Sequence, residues 1–179
     1  MIPYCQGLPT WRRTTLIFSN SATANQKAAD EELKTTRDRL YPSTPSPPIK
    51  PPLPLEKYVG KYHDAGYGTL EIKLNCSELD YPKDSPASTT TEKDGCRLVA
   101  RPESQPGMEG FAVQMDLEHI SGDFWLGWAF AINFKYRRPQ GGQRIEFRLD
   151  ASGAVASVGV DVRLEGESVP LTLFTRVAD

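Results

Sequence analysis

From Leu55 onward, apolar side chains recur at every second position in one short segment after another, and this period narrows most what the chain can fold into. Leu70, Ile72 and Leu74 alternate with Glu71, Lys73 and Asn75. Phe111, Val113, Met115 and Leu117 alternate with Ala112, Gln114, Asp116 and Glu118. Phe124, Leu126, Trp128, Phe130, Ile132 and Phe134 share one parity, and Ile145, Phe147 and Leu149 repeat the pattern. After a turn signal at Asp150-Ala-Ser-Gly153 come Val158, Val160, Val162 and Leu164, then a last segment, 169–177, with Leu171 and Leu173 expected to face inward. Tyr58–Tyr62 and Cys96–Arg101 complete a set of about eight short strands with no helical spacing between them. Sequential antiparallel strands favour a meander, and closing it removes the open edges of a flat sheet. The expected fold is mainly β: an eight-stranded antiparallel up-and-down barrel with an N-terminal strand–helix arm. A β-sandwich is the alternative, with its cross-sheet connection drawn from 76–95 or 101–110. On the shared parity, Phe124, Trp128 and Phe130 would fill the lumen. Trp125 would face outward, where an exposed indole is an interface candidate.

The N-terminal third reads differently. Residues 11–18 are rich in β-branched and aromatic types and fit one strand. Thr23 and Gln26 form a capping box, and Ala29, Leu33, Thr36 and Leu40 then mark one helical face. That face is thin in large apolar residues, so the helix needs a partner surface to be stable. Pro42 ends it by pushing Tyr41 out of the α region. Seven prolines in residues 42–54 make an extended, semi-rigid strap. The expected division is therefore an arm at 1–41, a proline-rich linker at 42–54 and a barrel at 55–179. A mean hydropathy of -0.46 agrees with a chain that is not core from end to end.

Charge excludes several function classes. The 21 Lys+Arg against 23 Asp+Glu leave no basic stripe for nucleic acid; Arg12-Arg13 and Arg137-Arg138 are the densest basic spots. No apolar run approaches a bilayer-spanning helix, and Pro3, Gln6, Pro9, Arg12 and Arg13 interrupt any signal-peptide core, which leans the expectation towards the cytoplasm. Cys5, Cys76 and Cys96 stand either as three reduced thiols or as a Cys76–Cys96 bridge beside one free thiol. With only His63 and His119 and no C-x-x-C pair, no metal or cofactor site is expected.

Catalytic patterns are equally sparse. No G-x-S-x-G elbow or S-x-x-K occurs; Thr90-Thr-Glu-Lys93 has the wrong nucleophile, and Lys93-Asp-Gly95 reads as a turn. No glycine-rich phosphate loop links a strand to a helix. His119 with Asp123, and His63 with Asp64, invite an acid–base reading, but each fits a strand-end His and a turn Asp more simply. No catalytic residue is assigned. Asn75-Cys-Ser77 is an N-glycosylation acceptor that matters only on the secretory path.

One resemblance does emerge. Pro54-Leu-Glu-Lys-Tyr-Val-Gly-Lys-Tyr62 with Gly66-Tyr-Gly-Thr-Leu70, the segment His119 to Phe124, the strand Ile145-Glu-Phe-Arg-Leu-Asp150 and the closing Leu171-Thr-Leu-Phe-Thr-Arg-Val177 carry it. Over residues 52–179 the chain resembles the C-terminal lipocalin-like domain of fungal serine hydrolases related to β-lactamases and penicillin-binding proteins. Residues 7–40, with Thr14-Thr-Leu-Ile-Phe-Ser-Asn20, resemble the end of the catalytic domain in that family. The resemblance implies a non-catalytic accessory barrel that packs on or shapes a catalytic domain, or supports subunit association. The family's catalytic Ser and Lys would lie upstream of residue 7, so neither is carried over. A lipocalin-like carrier holding a small apolar ligand in its lumen is the alternative.

Overall fold

The structure is a computed structural model, and it describes residues 31, 35–76, 95–103, 113–131, 139–162 and 170–177. The expected strand at 11–18, the Thr23–Gln26 cap, Thr90–Lys93, Ile132 and Phe134 lie outside the described residues. Residues 35–40 are helical (α1), and the strap then runs to a 3-10 turn at Leu55–Tyr58. Eight strands follow: β1 (Gly60–Asp64), β2 (Gly68–Asn75), β3 (Arg97–Pro102), β4 (Val113–Ser121), β5 (Phe124–Ala131), β6 (Pro139–Leu149), β7 (Val155–Val160) and β8 (Thr172–Arg176). Each pairs antiparallel with the next, and β1 pairs with β8, so the meander closes into a barrel as the alternation predicts.

The turns follow from their side chains. Asp64 Oδ1 accepts from the N–H groups of Gly66 (2.8 Å) and Tyr67 (3.0 Å), which folds the β1–β2 hairpin. Asp150 accepts from Ser152 N and Oγ (2.8 and 2.6 Å) and Ala154 N (3.1 Å), and these donors lower its pKa. Between β2 and β3, Cys76 and Cys96 are bridged (S–S 2.11 Å), so of the two cysteine readings the bridge is the one found. At the β1–β8 seam, Arg176 donates to the carbonyls of Val59 (2.7 Å) and Lys57 (3.1 Å) and lies over the Tyr62 ring.

All eight strands contribute to the lumen core, in which Tyr58, Tyr62, Ile72, Leu98, Leu117, Trp125, Ile145, Phe147, Val158 and Phe174 are buried. A second, smaller core lies on the outer wall: Ile120, Leu126, Trp128 and Phe130, covered by Leu40 and Tyr41. The expected parity of β5 is therefore reversed. Trp125 points into the lumen at 2% exposure, while Leu126, Trp128 and Phe130 face outward and Phe124 is 48% exposed. Both faces of β5 are buried, so its apolar pattern does not distinguish inside from outside. The lumen side also needs small residues: a Cβ on Gly127 would sit 2.6 Å from Ile145 Cδ1. The last strand departs in the same way. Phe174 is the inward residue, and Leu173, opposite Gly159, is 41% exposed on the outer wall.

The helix finds its partner within this chain. A Cβ on Gly142 would lie 2.6 Å from Thr36 Cγ2 and 3.0 Å from Leu126 Cδ1, so α1 can sit on β5 and β6 only because residue 142 has no side chain. The polar residues that alternate along β4 are buried here. Glu118 accepts from Trp128 Nε1 (2.8 Å) and pairs with Arg37 of α1 (3.1 Å). Gln114 bridges Arg101 and Asp116.

Candidate functional site

The notable concavity lies outside the lumen. Between the strap and the outer wall is a cleft of about 690 Å³, walled by Tyr41, Pro45 and Ile49 on one side and by Phe124 and Leu171 on the other. The strap is held across it at two points. Tyr41 Oη donates to Trp125 O (2.5 Å), and burial pushes this phenol up to about 12. Further along, Ile49 N donates to Ser121 Oγ (3.1 Å), and Gly122 N donates back to Ile49 O (2.8 Å). Gly122 has φ 57°, a left-handed value that glycine adopts without strain, so its position in the β4–β5 turn suits the sequence.

Charged groups line the floor. Arg144 pairs with Asp161 (3.3 Å) and Glu146 with Arg148 (3.2 Å). Asp123 Oδ1 is buried with no hydrogen-bond partner. Its carboxyl pKa is raised, first by burial and then by neighbouring Glu146.

Among the described residues, both His–Asp candidates are engaged in local structural contacts. His119 stacks edge-on to Trp125 (4.8 Å between centroids), and its Nε2 is engaged with Gly122 O (3.0 Å). Burial lowers its pKa. The nearest hydroxyl in the turn, Ser121 Oγ, accepts from the strap. His63 Nδ1 lies 3.4 Å from Thr69 Oγ1, and Asp64 serves its turn. Trp125, the expected interface residue, belongs to the lumen core. Among the described residues no group of three His, Cys, Asp or Glu side chains converges as a metal site.

Sequence reasoning missed Tyr41, Ile49, Phe124 and Ser121 as parts of one cleft. The available signal was an aromatic residue ending a helix before a proline strap; their meeting depends on long-range packing.

Among the described residues the lumen is filled by buried side chains, with a gap of about 10 Å³ beside Leu98, Leu117 and Trp125.

Comparison with known proteins adds two findings. A family model described as a domain of unknown function (DUF3471) matches residues 44–172. The chain is also 30% identical over 122 residues to the "Unguisins hydrolase ungD" of Aspergillus violaceofuscus (strain CBS 115571), a match covering 68% of this chain and 17% of that protein. The chain thus spans less than a fifth of that relative's length. No solved structure matches.

Proposed function

Because the chain belongs to the DUF3471 family, we propose that it is the non-catalytic accessory barrel of a β-lactamase-related serine hydrolase, packed beside a catalytic domain outside this sequence. The relative is named a hydrolase, and the matched stretch is only 17% of it. A region of this size therefore sits there beside a much longer chain.

One observation carries the reading: α1 and Tyr41 are fixed on the outer wall of β5 and β6. Thr36 sits against Gly142, Arg37 pairs with buried Glu118, and Tyr41 bonds Trp125 O. A domain joined through α1 would be held at a set angle to the barrel and not on a free tether. That is what an accessory domain shaping a neighbouring active site requires. The engagement of His119 by Gly122 O and of Ser121 by Ile49 N supports a non-catalytic role. The buried side chains that all eight strands send into the lumen favour this reading over a lumen carrier.

The test is direct. The purified chain is assayed with nitrocefin, p-nitrophenyl acetate and D-alanine p-nitroanilide. No turnover above a heat-treated control is expected, whereas turnover removed by Ser121→Ala or His119→Gln refutes the non-catalytic role. Added to a related hydrolase prepared without its matching region, the chain is expected to restore activity. Failure to do so counts against packing on a catalytic domain and leaves self-association, read from sedimentation, as the competing partner.

A further inference from the structure

The cleft beneath the strap holds a feature that the accessory-domain reading does not use. Its volume of about 690 Å³ falls within the range of small-molecule sites, which are apolar concavities with a few placed polar groups. Two large apolar side chains face it in the open, Ile49 from the strap (62% exposed) and Phe124 from β5 (48% exposed). Both walls are already positioned: prolines stiffen the strap, and the Ile49–Ser121 and Gly122–Ile49 hydrogen bonds fix its distance from the β4–β5 turn. A ligand entering here meets little ordering cost.

The polar groups on the lining are not equivalent. Arg144 is held by Asp161 and Glu146 by Arg148. Lys50 is on the exposed strap and can turn to water. Asp123 differs from them: its carboxyl is only partly covered, and among the described residues it makes neither an ion pair nor a side-chain hydrogen bond. An unpaired carboxylate on an otherwise apolar cleft wall is the kind of placed polar group that fixes a ligand's orientation in such sites. We propose that this cleft binds a small organic amine, with an apolar, preferably aromatic body against Phe124, Ile49 and Leu171 and its ammonium donating to Asp123.

The chemistry is non-covalent throughout. An ammonium supplies both a donor and the opposite charge to this unpaired carboxylate, and such charge-assisted bonds are about twice as strong as neutral ones. An anionic ligand would face the same carboxylate and is disfavoured.

The probe is monodansylcadaverine, titrated into the chain with dansyl emission as readout. A saturable, blue-shifted signal is expected, with at least tenfold weaker binding for the N-acetylated probe and for dansylglycine. Asp123→Asn is expected to weaken the amine probe by about tenfold while leaving the acetylated probe unchanged, and Phe124→Ser to weaken both. Competition on the unmodified chain needs no variant: 2-phenylethylamine should displace the probe and 3-phenylpropionate should not. Equal or tighter binding of the acetylated or anionic probe overturns the proposal. So do displacement by the acid, a non-saturable signal, or an Asp123→Asn protein that is folded by urea titration and keeps the amine affinity within twofold. The titration uses this chain alone, so its outcome is independent of the hydrolase partnership.

Discussion

Truncating Trp125 to alanine tests the reversal of β5. The indole is 2% exposed and packs edge-on against Tyr58 (5.6 Å), Phe147 (5.9 Å) and His119 (4.8 Å) in the lumen. Its Nε1 has no hydrogen-bond partner, so the substitution orphans no acceptor and its cost is one of packing. Aromatic-to-alanine changes in closed cores cost about 3–5 kcal/mol, made up of lost transfer energy and a residual cavity. The three aromatic contacts and the closed wall around them place Trp125→Ala in the upper part of that range. Phe124→Ala, one residue away and half exposed, should cost about 0.5 kcal/mol. Urea titrations followed by far-ultraviolet circular dichroism give both values, with unchanged m-values showing that the unfolded state is not altered. Added indole should raise the urea midpoint of Trp125→Ala by occupying the cavity, as apolar cavities of this kind take up aromatic guests. A loss below about 1 kcal/mol for Trp125→Ala, or a larger loss for Phe124→Ala, would falsify the lumen assignment.

Three further outcomes are expected. Gly142→Ala sets a methyl 2.6 Å from Thr36 Cγ2 and should cost about 1–3 kcal/mol; Thr36→Ser, which removes that methyl, should recover part of it in the double mutant, and strict additivity would show that α1 is not seated on β5 and β6. Reducing the Cys76–Cys96 bridge opens a loop of 20 residues' separation and should lower unfolding free energy by about 3 kcal/mol, seen as a lower urea midpoint in dithiothreitol that Cys96→Ser reproduces. Burial holds the His119 imidazole below its usual 6.5, so the unfolded chain takes up a proton first as the pH falls. The stability tied to neutral His119 is therefore present above about pH 6.5 and is lost as pH falls through 6.5 towards the lower folded value; His119→Gln should flatten the pH dependence of unfolding free energy below about pH 6.5, and an unchanged slope refutes the assignment.

Much of the barrel was legible from alternation alone. Leu70 and Ile72, Met115 and Leu117, Ile145 and Phe147, and Val158 and Val160 are all buried in the lumen on the parity their spacing predicts. Each belongs to a strand whose opposite face is more polar, so period-two patterning has a single solution there. The Asp64 and Asp150 turns were equally local, since a short carboxylate bonds its own backbone two to four residues on. The cleft was not legible in this way. Its lining joins Tyr41 and Ile49 of the strap to Phe124 and Leu171, which lie far along the chain and carry no motif shared with them.

The sequence by itself therefore determined the strand count, the meander and the turns, because these depend on neighbours within a few residues. Only tertiary structure decided which face of β5 looks inward. Leu126, Trp128 and Phe130 form an apolar row that either the lumen or a covering helix could bury, and periodicity is blind to that difference. Gly142, by admitting α1 to the outer wall, and Gly127, by leaving the lumen room for Ile145, settled it. Contact between distant residues, limited by the volume of single side chains, made the choice that local pattern left open.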